Sequence, residues 1–252
     1  MKRLIIISVL VVIVLSGYAQ QNSPFSQYIF NQMLINPAYV GTKQQHNING
    51  TFASQWTGFK GSPTTETISA EGPITKNMGY GVHFLNDKIG AQSTQSLFGS
   101  FAYFIKFSEK WRLSLGLAIG ITNSMVDGSK LDTKDADDPA IPITKESALR
   151  FDSKAGLFLY SRRFYFGFSA SDLLADISKS ENMIVAKPVR HYFISTGYLF
   201  DAGKSLKIKP SFMIREDFKA PTNIDINLFF LIKEKIWLGI TGRFGAPICN
   251  AS

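Results

Sequence analysis

The histidines are the most obvious candidates for chemistry in this sequence, because an imidazole serves as a general base or as a metal ligand. The three histidines, His46, His83 and His191, are far apart in the chain. No Gly-x-Ser-x-Gly, His-x-x-x-His or Cys-x-x-Cys motif accompanies them. A dispersed Ser/His/Asp set stays open, but neighbouring groups that satisfy His83 and His191 inside the fold explain both more simply. We therefore predict no catalytic residue, no cofactor and no enzymatic activity.

Acidic residues concentrate between Asp127 and Asp138, and clustered carboxylates suggest Ca²⁺ binding. The segment lacks the Asp-x-Asp-x-Asp-Gly spacing that wraps one ion, and Lys130 and Lys134 interrupt it. We expect a solvated loop and no metal site. The formal net charge is +8, but the basic residues form no tract, so nucleic acid is not an expected partner.

The first nineteen residues predict export from the cytoplasm. Lys2 and Arg3 precede the apolar run Leu4–Leu15, and Gly17 and Ala19 supply small residues at a cleavage site. This run is shorter than the ~20 residues that a spanning helix needs, which disfavours an uncleaved anchor. We predict a Sec signal peptide over residues 1–19 that is removed after Ala19.

Beyond Asn47 the dominant period is two, which indicates β-strands. In the clearest stretch, Trp111 to Ile121, bulky apolar residues alternate with polar or small ones, so that Leu115 is expected to face lipid and Ser114 the interior. Many of these stretches reach the ~9–11 residues that a tilted strand needs to cross a bilayer. We predict eleven strands, at about 47–57, 63–72, 78–86, 93–107, 110–122, 150–161, 163–171, 190–201, 204–215, 223–233 and 236–243.

Connections between these strands alternate between short and long, including a longer one at Asp87–Gln92. Short periplasmic turns and longer extracellular loops are typical of outer-membrane barrels. A soluble β-sandwich, a lipocalin-like barrel or a jelly roll would also show alternating strands. We favour an all-β, antiparallel transmembrane barrel in the cell outer membrane, because aromatic residues also fall near strand ends as membrane girdles would: Trp56, Tyr80, Tyr103, Trp111, Tyr160, Tyr198 and Trp237.

Eleven is an odd number, whereas bacterial single-chain barrels have even numbers of strands. The chain ends in a stretch without alternation, residues 244–252. We expect that the C-terminus is truncated; the alternative is a complete barrel and a miscounted strand. The predicted organisation is a signal peptide (1–19), an N-terminal periplasmic or lumen segment with a short helix (20–45), the barrel (46–243) and an irregular tail (244–252).

The segment 20–45 carries the most distinctive residues outside the strands. Gln27, Tyr28, Asn31 and Leu34 fall near one helical face, and Pro37 is expected to end that helix and to make Asn36 extended. A plug or partner-docking role and a simple seal of the barrel floor both stay open. Four glycines expected on the inward face would leave room for a plug or would only relieve crowding: Gly79, Gly81, Gly116 and Gly120.

This segment resembles the opening signature of the PorP/SprF family, membrane proteins of the type IX secretion system of Bacteroidetes. Weaker matches follow at 190–198, 209–212 and 237–239. The resemblance implies a barrel of about fourteen strands, of which about eleven are present, that partners outer-membrane lipid, secretion-system proteins and secreted cargo with a C-terminal sorting domain. Some members anchor gliding adhesins; a passive porin or solute channel is the alternative. The matching residues, expected to dock a partner or form a plug, are Gln27, Tyr28, Phe30, Asn31, Asn36, Pro37, Ala38, Tyr39 and Gly41.

Overall fold

The computed structural model describes residues 28, 31–56, 58–59, 61–130, 144–175, 188–203 and 205–245. These residues form one antiparallel sheet in which each strand pairs with the next along the chain, except that β9 extends β8 and both pair with β10. The strands are β1 (Asn47–Ser54), β2 (Thr64–Thr75), β3 (Met78–Ile89), β4 (Gln92–Lys106), β5 (Arg112–Asp127), β6 (Lys145–Tyr160), β7 (Phe164–Ser171), β8 (His191–Tyr198), β9 (Phe200–Asp201), β10 (Leu206–Glu216), β11 (Asn223–Ile232) and β12 (Ile236–Phe244).

All eleven predicted strands are present, and the eighth is divided at Leu199 into β8 and β9. The predicted longer connection at Asp87–Gln92 is wrong. The ladder between β3 and β4 continues through Asp87 opposite Thr94 and Lys88 opposite Ser93. A two-residue turn, Gly90–Ala91, therefore joins these strands, and Gly90 takes the positive φ of 59° that such a turn favours.

The two ends of the sheet differ in their connections. We call the end that carries the β2–β3, β4–β5, β6–β7, β9–β10 and β11–β12 connections the short-turn end. The opposite end, with the connections after β1, β3, β5, β7 and β10, is the long-loop end. Apart from the β3–β4 turn, the predicted alternation of short and long connections is found.

The faces of the sheet are inverted relative to those of a soluble protein. On β5, Leu117 is 64% exposed and Ile119 is 74% exposed, whereas Ser114 is fully buried and Ala118 nearly so. On β2, Thr65, Thr67 and Ser69 are buried. A soluble sandwich would bury the apolar set against a second sheet, so the outward apolar face is the one expected to contact lipid. The predicted all-β antiparallel class and the facing of β5 are confirmed.

Two of the aromatic residues expected in membrane girdles lie elsewhere. Tyr80, Tyr103 and Tyr198 are exposed on the outward face near strand ends, as predicted. Tyr160 and Trp237 instead line a cavity on the inner side of the sheet. Their positions near strand ends were correct, but a girdle also needs an outward side chain.

The sheet is open within the described residues: β1 pairs with β2, β12 pairs with β11, and no pairing joins β1 to β12. Closure of an odd number of antiparallel strands would require a parallel pairing between the first and the last, and that pairing is not formed there. The predicted signal peptide (1–19) and residues 246–252 of the predicted irregular tail lie outside the described residues, and β12 includes Phe244.

Among the residues that the structure describes, no helix has the length and apolar character needed to cross a membrane.

The facing generates a test of the wall. A lysine at Ile119 would put a charge on the outward face near the middle of β5, which costs about 2–4 kcal/mol in a bilayer. We expect Ile119→Lys to prevent assembly of the heat-modifiable form seen on unheated gels after refolding into liposomes.

Thr94→Lys is the matched control, because Thr94 lines an inner cavity that also contains Asp152 and Asp172. Ser114 would not serve, since it is fully buried and pairs with Phe104 and Phe158, which leave no room for a long side chain. Equal loss of assembly in Ile119→Lys and Thr94→Lys would contradict the facing.

Candidate functional site

The N-terminal segment, Asn31–Gly41, contains two short 3₁₀ helices, Gln32–Leu34 and Pro37–Tyr39. Asn36 is extended at φ −127° and ψ 106°, as expected before a proline. The expectation that Pro37 ends a helix is incomplete, because Pro37 also begins the second one. A proline suits the first position of a helix, where its fixed φ is helical and no N–H is required. Within residues 31–41 the segment thus forms two 3₁₀ turns and no α-helix.

Asn36 fastens the segment to the sheet. Its side-chain oxygen accepts a hydrogen bond from the Ala38 N–H at 2.9 Å, which caps the second turn. Its Nδ2 donates to the carbonyl oxygens of Leu157 on β6 at 3.0 Å and of Phe168 on β7 at 3.4 Å. Asn36 is 3% exposed. All three amide contacts are therefore made out of water, where an unpaired polar group is costly.

Glycines on the sheet make room for this segment. A Cβ at Gly116 would overlap the backbone of Ala38, and one at Gly81 would lie 2.7 Å from Met33 Cε and from Val40 Cγ1. A Cβ at Gly79 would overlap the Val40 carbonyl oxygen. A Cβ at Gly120 would instead meet Leu97 and Phe98 of the neighbouring strand. Three of the four inward glycines therefore accommodate the segment, and the fourth accommodates the sheet itself.

Sequence reasoning missed Gly156 and Gly167, which flank the Asn36 side chain. A Cβ at Gly156 would overlap Asn36 Oδ1, and a Cβ at Gly167 would lie 3.0 Å from Asn36 Nδ2. The available signal was their alternation with outward residues such as Leu157 and Phe168, which puts both glycines on the inner face.

Gly41 ends the segment where the backbone turns toward β1. Its φ is +73°, and a Cβ there would lie 2.8 Å from Gly79 Cα and 2.9 Å from the Gly72 carbonyl oxygen. Both the conformation and the space thus require glycine. The Gly41 N–H donates to Glu71 Oε2 at 3.1 Å, and Lys43 Nζ lies 3.7 Å from Glu71 Oε1. The buried Glu71 carboxylate is thereby paired.

Further polar contacts hold the segment along its length. Asn31 Nδ2 donates to Ser69 Oγ at 2.6 Å, and Lys154 Nζ donates to the Leu34 carbonyl oxygen at 2.8 Å. The same ammonium lies 4.3 Å from the centre of the Phe98 ring. Further along, Asn227 Nδ2 on β11 donates to the Tyr28 hydroxyl at 3.1 Å. Burial raises the pKa of Tyr28 and of Tyr39 above their ordinary value, so both are neutral at physiological pH.

Apolar side chains of the segment complete the interior. Met33 and Val40 cluster with Ala102 and Phe104 of β4. Tyr28 and Ile35 cluster with Phe193 of β8 and Met213 of β10. Tyr39 packs edge-on against Phe158 of β6, with ring centres 5.4 Å apart. With the polar contacts above, the inner face of the sheet from β2 to β11, apart from β9, contacts Tyr28 and residues 31–41.

The long-loop end carries a network of charges that includes His191. Its ring nitrogens lie 3.6 Å from Asp172 Oδ2 and 3.8 Å from Asp217 Oδ2. Burial opposes ionisation of Asp217, but N–H donation from Lys219 and Ala220 holds its pKa below its ordinary value. An imidazole between two carboxylates is typical of a structural ion-pair network. His83 is instead buried and stacked on Phe98 at 5.3 Å between ring centres.

A known protein family matches most of this chain. The family model for the type IX secretion system membrane protein PorP/SprF matches residues 17–250. The chain belongs to the PorP/SprF family. No curated protein matches it.

Seven of the nine residues that carry the PorP/SprF resemblance fall within the described structure. They are brought together in one buried segment beneath the sheet: Tyr28, Asn31, Asn36, Pro37, Ala38, Tyr39 and Gly41. Gln27 and Phe30 lie outside the described residues. Among the described residues, no group of three or more His, Cys, Asp or Glu could hold a metal ion.

The Asn36 contacts generate a prediction with a pH dependence. In Asn36→Asp the ionised carboxylate cannot donate to the Leu157 and Phe168 carbonyls, and burying it unpaired costs about 3 kcal/mol. Burial raises the folded-state pKa of such a carboxyl above its unfolded value, so the loss is full at pH 7 and shrinks as pH falls through the folded-state pKa. Urea midpoints in detergent micelles at pH 7 and pH 5 measure this.

Asn77→Asp, in an exposed turn, is the control and should not recover stability at pH 5 relative to wild type. If Asn36→Asp has the same urea midpoint as wild type at pH 7, the fastening role of Asn36 is wrong.

The glycine fit generates a second prediction. Gly116→Ala should push the segment off the sheet, because the new Cβ overlaps the Ala38 backbone. Hydrogen exchange of the amides at 33–41 should accelerate by about tenfold or more through local opening. Gly99→Ala is matched, since a Cβ at Gly99 meets nothing within 4 Å. Exchange unchanged in Gly116→Ala would mean that the sheet yields instead.

Proposed function

We propose that this protein docks or anchors proteins secreted by the type IX system, including gliding-motility proteins, at the outer membrane, and that its N-terminal segment acts as a plug. The observation that carries the proposal is the packing of Tyr28 and residues 31–41 against the inner face of the sheet between β2 and β11. A passive porin needs a water-filled channel lined by polar groups. Here apolar side chains and capped backbone occupy the inner space.

The burial and hydrogen bonds of the segment support a plug that stays in place. Met33, Ile35, Ala38 and Val40 are at most 5% exposed. Each large side chain among them contributes about 1.5–3 kcal/mol on burial. Departure of the segment would also break the hydrogen bonds from Asn31 and Asn36 to the sheet and from Lys154 to the Leu34 carbonyl. A segment held in this way keeps an ion path closed at rest.

The orientation of the barrel follows from its connections. Short turns are typically periplasmic and longer loops extracellular, so secreted cargo would be held at the long-loop end and secretion components would approach the short-turn end. The predicted signal peptide would deliver the chain to the periplasm for insertion. The proposed partners are secreted proteins with a C-terminal sorting domain and periplasmic components of the secretion system.

Two measurements on the purified protein test this proposal. In planar bilayers its conductance should be at least about tenfold below that of the Gly116→Ala variant, since the segment obstructs the path through the inner space in wild type. A purified C-terminal sorting domain of a type IX cargo from the same organism should bind saturably in detergent. A sorting domain with its last strand deleted is the control for that binding.

A passive channel predicts the reverse outcome. Steady, ion-selective conductance in wild type together with no binding of the sorting domain would favour a porin and overturn the proposal. If wild type does not conduct and the sorting domain does not bind, the plug is supported and the docking of cargo is rejected.

A further inference from the structure

A cavity of about 320 Å³ lies at the short-turn end, between the N-terminal segment and the β6–β7 turn. Four basic residues line it, Lys43, Arg162, Arg163 and Lys209. No carboxylate is found among the described residues that line it. Nothing in the plug role uses this cavity.

Two of the four cations lie against aromatic rings, and only two of the four have a carboxylate partner. Lys209 Nζ lies 5.3 Å from the centre of the Tyr165 ring, and Lys43 Nζ lies 5.5 Å from that of Tyr39. Arg163 pairs with Asp201, and Lys43 with Glu71. For Lys209 and Arg162, no carboxylate of the described residues lies within ion-pair distance. The ammonium groups of Lys43 and Lys209 also repel each other.

A ring face accepts a cation but not its three N–H donors, so Lys209 retains unused donor capacity. A carboxylate that entered the cavity would form charge-assisted hydrogen bonds, which are stronger than a cation–π contact at a partly exposed site. The cavity is therefore complementary to an anionic group.

The walls select an anion that is attached to an apolar group. Phe158 and Tyr165 stack with ring centres 5.6 Å apart, and Tyr160 and Trp237 complete the aromatic lining on the inner face. Phe158 and Lys209 belong to the inner face of the sheet, whereas lipid would contact the outer one. A free inorganic ion would leave the aromatic walls unused. A peptide with an acidic residue beside an aromatic one satisfies both parts.

The charges around the cavity favour the approach of such a peptide from the short-turn end. The short-turn connections carry basic residues in excess of acidic ones: Lys76, Lys110, Arg162, Arg163, Lys233 and Lys235 against Glu109 and Glu234. A basic rim around a low-dielectric cleft concentrates acidic ligands by steering.

We propose that this cavity binds an acidic peptide segment of a partner protein, with a carboxylate on Lys209 and Arg162 and a neighbouring aromatic side chain against Phe158 and Tyr165. The inference deepens the proposed docking function and rests on it. It assigns a binding site to the partner that approaches the short-turn end.

Binding of a defined probe to the full-length protein tests the site. The probe is the pentapeptide Ser-Glu-Phe-Asp-Ser, labelled with a neutral fluorophore and followed by anisotropy. We expect saturable binding that weakens as NaCl is raised from 50 to 500 mM, and about 5–10-fold weaker binding in Lys209→Gln and in Arg162→Gln. Lys110→Gln, which removes a charge at the same end outside the cavity, should change affinity less than about twofold.

Comparison probes decide what the site recognises. The neutral pentapeptide Ser-Gln-Phe-Asn-Ser should bind at least about tenfold more weakly, and inorganic phosphate or phosphatidylglycerol vesicles should not displace the acidic peptide. The proposal is overturned if the acidic peptide does not bind wild type, or if the neutral peptide binds equally well. It is also overturned if Lys209→Gln keeps the wild-type affinity, or if the lipid vesicles displace the acidic peptide. Heat-modifiable migration of each variant verifies that it folds.

The outcome can be separated from that of the docking proposal. If the acidic peptide does not bind while the cargo sorting domain does, the cavity assignment alone fails. If the peptide binds through Lys209 but the sorting domain does not, the short-turn site stands and cargo docking fails.

Discussion

A sheet with lipid on its outer face buries only a few of its own large side chains, because the period of two sends most of them outward. Leu117 and Ile119 of β5 point away from the protein, and the inner positions between them are small or polar. The inner aromatic side chains of the sheet, such as Phe104, Phe158 and Phe193, need a piece of chain that is not part of the sheet to complete the core. Tyr28 and residues 31–41 supply it, and the choice of small residues on the inner face depends on this segment.

The inner glycines show how closely sheet and segment are matched. Glycine in a strand is less favourable than alanine by about 0.5–1 kcal/mol. The sheet nevertheless has glycine at 79, 81, 116, 156 and 167, each opposite an atom of the segment. Burial of Met33, Ile35 and Val40, at about 1.5–3 kcal/mol for each large side chain, offsets that cost. The glycines would weaken an empty barrel and stabilise a filled one.

Local patterns predicted the sheet well and the interior poorly. Alternation located the strands within a few residues, because which face a residue occupies is a property of its immediate neighbours. It failed at Asp87 and Lys88, where polar residues extend the β3–β4 hairpin and therefore resemble a loop. Tyr160 and Trp237 were placed on the wrong face because proximity to a strand end does not fix the direction of a side chain.

The contacts of the N-terminal segment, unlike the alternation of the strands, join residues that are far apart in the sequence. Asn36 bonds to the Leu157 carbonyl across 121 positions and to that of Phe168 across 132. Pro37 next to Asn36 predicted the extended backbone, a local effect, and that part is confirmed. The partners of the Asn36 amide are main-chain carbonyls, which carry no signal in the sequence. The role of Gly156 and Gly167 therefore became visible only once the strands were assembled.

The segment divides the inner space into two chambers with different electrostatics. On the long-loop side Asp172 is paired with Arg150 at 3.2 Å, and the His191 ring lies between Asp172 and Asp217, so the carboxylates there already have polar partners. On the short-turn side Lys209 and Arg162 face a cavity without a carboxylate of the described residues.

A compensated network gains little from a further ion, because any new contact must replace an existing one. Uncompensated cations gain from each acceptor that arrives. Charge-directed recognition is therefore expected at the short-turn end.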